Sequence, residues 1–77
     1  MGTFTNISLS KYRKFLQYAG CVLDSTNGGH EKWTKEGLTR PIIVQNHIDP
    51  VPPFIVKNAL RNLGITTKEF INIIHSL

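Results

Sequence analysis

Three prolines crowded into Pro50–Pro53 divide this chain into two parts that must be built differently. Proline has no backbone N–H to give to a sheet ladder, so residues 46–53 read as a loop. Pro53 suits the first turn of a helix, where that N–H would have no partner anyway. Beyond it, Ile55, Val56, Ala59, Leu60 and Leu63 form one apolar stripe, closed by Gly64. Thr66 and Glu69 are spaced as a capping box, and Phe70, Ile73, Ile74 and Leu77 repeat at helical spacing. The part after the prolines is therefore helical.

The part before them begins with a helix and becomes a sheet. Leu9, Tyr12, Phe15, Leu16 and Ala19 share one helical face, Ser8 or Ser10 can cap it, and Gly20 stops it. Lys11, Arg13, Lys14 and Gln17 fall mainly on the other side, as a solvated face does. Three short β-prone runs follow, over residues 21–25, 30–35 and 39–45. Asn27-Gly28-Gly29 and Glu36-Gly37 turn the chain between them, and Ile42-Ile43-Val44 reads as the best-buried strand. Two short turns imply an antiparallel meander. The expectation is an α+β fold in the order α-β-β-β-α-α, a three-stranded antiparallel sheet with helices on one face.

At 77 residues the chain is expected to form one domain, 1–77. Folding a chain of this size removes only about 60% of its unfolded surface from water, so any site lies on an open face or in a shallow groove. A single cysteine, Cys21, excludes an internal disulfide, and its apolar neighbours make it a buried residue rather than a nucleophile. No apolar run approaches the ~18 residues of a membrane span, and no secretory pattern opens the chain, so the expected location is the cytoplasm. A net charge of +4 fits a polyanionic partner, either nucleic acid or an acidic protein, and equally fits a mildly basic surface with no partner.

The second strand carries the candidate chemistry. Side chains alternate faces along a strand, so Glu31, Trp33 and Lys35 share one side and His30, Lys32 and Thr34 the other, provided no bulge intervenes at Gly29. With Trp33 against the helices, His30 and Lys32 point outward together. An imidazole titrates near neutrality and can take or give a proton. RNA brings its own nucleophile, the 2′-hydroxyl beside each phosphodiester. One placed base with nearby cations can therefore cleave it without metal or cofactor. Gly28 and Gly29 let a bulky substrate approach the backbone, and the N–H groups of such a turn can bind phosphate oxygens. Taken alone, a glycine turn followed by a histidine is also an ordinary hairpin.

The other candidates are weaker. His47 opens the proline loop, and local chemistry does not decide its role. His75 sits in the last helical turn, where a cationic imidazole complements the helix dipole. No His or Cys spacing matches a structural zinc site, so no metal is expected. Asp24 and Asp49 are isolated, and Asp49 before Pro50 reads as an ordinary turn residue.

Taken together, residues from about Leu9 to Phe70 resemble the HicA toxin family. The matching features are a helix ending at Ala19-Gly20, a strand, and a Gly-x-His turn at Gly28-Gly29-His30. An Ile/Val-rich strand then leads to a loop histidine at Asn46-His47. The stretch Ala59-Leu60-Arg61-Asn62-Leu63-Gly64-Ile65-Thr66, followed by Lys68-Glu69-Phe70, completes the pattern. The resemblance implies a fold like the double-stranded-RNA-binding domain and a metal-independent endonuclease acting on mRNA. It also implies neutralisation by a HicB-type antitoxin, and its catalytic histidine carries over onto His30. Two departures stand out. Gly29 occupies a position where the family usually has Ser or Thr, and Pro52-Pro53-Phe54 replaces a Gly-Thr helix start.

The expectation is thus an RNA-cleaving toxin with His30 as general acid or base. Gly28, Gly29, Lys32, Lys35 and Arg40 would contact RNA, although alternation puts Lys35 on the Trp33 side. His47 is a possible second functional residue. The alternative is a non-catalytic RNA-binding module of the same fold, which would explain the charge equally well.

Overall fold

A computed structural model describes residues 4–77. Its elements are α1 (Leu9–Tyr18), β1 (Val22–Asn27), β2 (His30–Thr34), β3 (Ile42–Gln45), α2 (Pro53–Leu63) and α3 (Thr67–Ser76), in the expected order. The caps are those the sequence announces. Ser8 accepts from the Lys11 N–H at 3.1 Å, and Thr66 and Glu69 form a reciprocal capping box. Pro53 opens α2.

The limits of all three strands differ from expectation, and β2 ends at Thr34, one residue short of Lys35. Cys21 is buried but lies before β1, which starts at Val22 and runs on to the turn at Asn27. β3 is shorter than residues 39–45, because Pro41 has no N–H to give and the Arg40 carbonyl is taken by the Asn62 side chain at 3.0 Å.

The sheet is antiparallel in the order β1-β2-β3. Its irregularity falls in β1, between Leu23 and Ser25, and not at Gly29. Alternation along β2 therefore holds. Glu31 and Trp33 are buried with Ile42 and Val44 of β3, while His30, Lys32, Ile43 and Gln45 are exposed. Against the inner face pack Tyr12, Phe15 and Leu16 of α1, Val56, Ala59 and Leu60 of α2, and Phe70 and Ile74 of α3. Phe15 and Phe70 meet edge to face, their centroids 4.8 Å apart, which joins the first helix to the last. No helix covers the outer face among the described residues. Among the described residues, no helix is long and apolar enough to cross a membrane.

A charge lies within this apolar layer. Glu31 is only 6% exposed. Its carboxylate accepts from Arg13 Nε at 3.1 Å, from Arg13 Nη2, and from Trp33 Nε1 at 3.1 Å. The fork-shaped guanidinium matches both carboxylate oxygens, and the indole N–H takes a further lone pair, so the buried anion is paired on several sides. The Arg13 hydrogen bond, aided by those from Trp33 and Asn46, holds the Glu31 carboxyl below its ordinary value against the opposing effect of burial.

The proline loop is tied to the front of α1. The Leu9 N–H donates to Asp49 Oδ1 at 3.0 Å, and the Val51 N–H to the Ile7 carbonyl at 2.8 Å. Asp49 is therefore more than a turn residue: it meets one of the unpaired N–H groups at the start of α1.

Because its folded-state pKa is depressed, Glu31 stabilises the fold when ionised, fully so above its unfolded value near 4.5, and this is lost as pH falls through the folded value. Arg13 is about a third exposed, which weakens the pair relative to a fully buried one. Glu31→Gln is expected to cost about 1–3 kcal/mol at neutral pH and much less under acid. Urea titrations followed by the fluorescence of Trp33, the single tryptophan, at several pH values would test this. Equal midpoints for the two proteins at neutral pH would contradict it.

Candidate active site at the glycine turn

The hairpin between β1 and β2 brings Asn27 opposite His30, so Gly28 and Gly29 alone make the turn. The two glycines are there for different reasons. Gly28 has φ of 62°, a left-handed conformation that side chains disfavour, and nothing stands near the place a Cβ would take. Gly29 has no such backbone need. A Cβ on it would lie 2.9 Å from His47 Nδ1 and 3.2 Å from His47 Cε1, so a neighbouring ring already fills the space.

Sequence separation hides that contact. The Asn46 N–H donates to the Gly29 carbonyl at 2.8 Å, continuing the β2–β3 ladder one step past Gln45 into the loop. His47 follows directly and lays its imidazole on the turn. Summing the intervening bonds puts its Nδ1 within about 8 Å of the His30 Cα. Asn46 also stands near enough to Glu31 to help lower its carboxyl pKa.

On the outer face, His30 stands opposite Gln45 and Lys32 opposite Ile43. His30 and Lys32 are two residues apart on one side of a strand, about 7 Å between Cα atoms. Lys32 Nζ is 3.9 Å from Asp24 Oδ2, with both side chains about half exposed, a loose pair that leaves the ammonium free to meet an anion.

Two other expected contacts stand elsewhere. Lys35 lies beyond the far end of β2, about 16 Å along the chain from His30. Its stem rests on Gly20, where a Cβ would be 3.3 Å from Lys35 Cε, so its charge sits past the C-terminal end of α1. Arg40 also lies beyond that end of the sheet, since Ile42 of β3 pairs with Trp33. The structure thus gathers Gly28, Gly29, His30, Lys32 and His47 and sets Lys35 and Arg40 apart. Asn46 and Gln45 were not singled out from sequence; only the strand register brings them here.

Cys21 is buried, and burial pushes its thiol pKa up, so it is no activated nucleophile. Among the described residues, no group of three or more His, Cys, Asp or Glu side chains is placed to hold a metal ion.

Residues 10–65 match the family model of the HicA toxin of bacterial toxin–antitoxin systems, a span running from α1 through the glycine turn to just past α2. No curated protein and no solved structure matches the chain.

Gly29→Ser is expected to displace the His47 ring. Because His47 is an exposed side chain that can rotate away, the change in stability should stay below about 1 kcal/mol. The imidazole resonances of His47 in a ring-nitrogen NMR spectrum should shift strongly. Unchanged His47 resonances would show that the ring does not rest on the turn.

Proposed function

This chain belongs to the HicA family of toxins from bacterial toxin–antitoxin systems, and from that premise we propose that it is an endoribonuclease acting on mRNA with His30 as its proton-transfer group. The observation that carries this reading is the open outer face at the glycine turn. There an exposed imidazole stands beside a loosely held ammonium, with a second imidazole packed on the residue before it.

His30 takes the proton of a 2′-hydroxyl. The 2′-oxygen attacks the adjacent phosphorus, the bond to the 5′-oxygen breaks, and the departing oxygen gains a proton. The products are a 2′,3′-cyclic phosphate and a 5′-hydroxyl. No oxidant, reductant or metal is needed for this balance. The N–H groups of Gly28 and Gly29 and the Lys32 ammonium meet the negative charge that grows on the phosphate. His47, resting on Gly29, is the second functional group of the site and is poised to supply the proton that the leaving oxygen takes.

A face that opens to RNA also opens to a protein. The partner of this toxin is a HicB-type antitoxin that covers the outer face, and both meet in the cytoplasm.

The test is cleavage of single-stranded RNA by the purified protein in EDTA. His30→Ala is expected to lose at least about 100-fold in rate, as removal of a general acid or base does. Equal cleavage by both proteins would remove His30 from the mechanism. RNA binding without cleavage by the wild type would favour a binding module instead.

A further inference from the structure

The outer face that carries His30 runs on into a groove. Lys32 pairs with Ile43, and Ile43 lines a cleft of about 570 Å³ between the start of β3 and the flank of α2. Ile43 is two residues along the sheet and one strand across from His30, about 8 Å away. That is the separation of near neighbours in one RNA strand.

The cleft has two kinds of wall. Pro41, Ile43 and Ile55 are apolar, whereas Arg40, Asn58, Arg61 and Asn62 are polar. Asn58, Arg61 and Asn62 occupy positions i, i+3 and i+4 of α2 and so share one helical face. Asn62 gives a side-chain N–H to the Arg40 carbonyl at 3.0 Å, which fixes that wall. Asn58, Arg40 and Arg61 are exposed. The volume suits a small-molecule-sized guest, with apolar surface for its faces and a few polar groups for its edges.

A nucleotide of single-stranded RNA uses all of these features. Its base face covers the apolar wall, its edge meets carboxamides that both donate and accept, and its phosphate meets a guanidinium fork. An acidic peptide would use the arginines alone. We propose that this groove is a subsite for one nucleotide of single-stranded RNA beside the bond cleaved at His30, and that it sets the base preference of the toxin. The subsite rests on the endoribonuclease reading for the cleaved bond, but its occupancy is measured separately from cleavage.

Binding of fluorescent single-stranded hexanucleotides of varied base, made uncleavable by 2′-O-methyl groups, would be followed by anisotropy at fixed salt. The wild type is expected to prefer one base at one position by about 10-fold, within the range for a good base-edge contact. His30→Ala should keep that preference. Asn58→Ala/Arg61→Ala should lose it and bind about 10-fold more weakly overall. Both positions are exposed on a helix, so Trp33 fluorescence should report an intact fold. Unchanged affinity and preference in the double variant would overturn the proposal. So would a Glu-rich peptide whose binding, unlike that of RNA, depends on Asn58 and Arg61. Loss of cleavage by the wild type on unmodified RNA, with groove-dependent binding intact, would defeat the endonuclease reading and leave the subsite standing.

Discussion

The pairing of Glu31 with Arg13 and Trp33 is the constraint on which the rest of the molecule depends. A carboxylate shielded from water beside Trp33 and paired across the ladder with Val44 is expensive to desolvate, and only one orientation of β2 brings it to both a guanidinium and an indole N–H. Sliding the strand by one residue would expose Trp33 and put His30 and Lys32 inside. The buried ion pair therefore acts on register as much as on stability. It selects which side of β2 faces water, and so puts His30 and Lys32 on the open face.

The loop residue Asn46, whose backbone is hydrogen-bonded to Gly29, also helps to lower the pKa of the same carboxyl. Core, strand register and glycine turn are thus joined through a few side chains. Asp49 holds the other end of the loop on α1. His47 lies between these two anchors, which is why an exposed residue in a proline-rich loop has a defined place.

Much of this was legible in the chain. The helices announced themselves through Ser8, the Thr66–Glu69 box and their apolar stripes, and β2 through the alternation of His30, Glu31, Lys32 and Trp33. What stayed hidden was long-range. Glu31 looked like any other residue of the Trp33 face, because its partner Arg13 is eighteen residues away on a helix whose cations read as solvated. Asp49 looked like a turn residue for the same reason. Lys35 and Arg40 carry the right charge but sit at the wrong end of the sheet, which composition cannot reveal. Gly29 was the most instructive case. Where the family usually has Ser or Thr, Gly29 leaves a space that the ring of His47 fills.

The anchoring of the loop also has a consequence in time. His30 and its turn are made early in the chain, but the loop contacts upon them come from Asn46 and His47, and two of the helices that cover the inner face come later still. A chain growing from its N-terminus would present the glycine turn well before it could assemble the neighbourhood that orients it. The reactive arrangement is a property of the finished protein, and the half-made one carries its histidine without its setting.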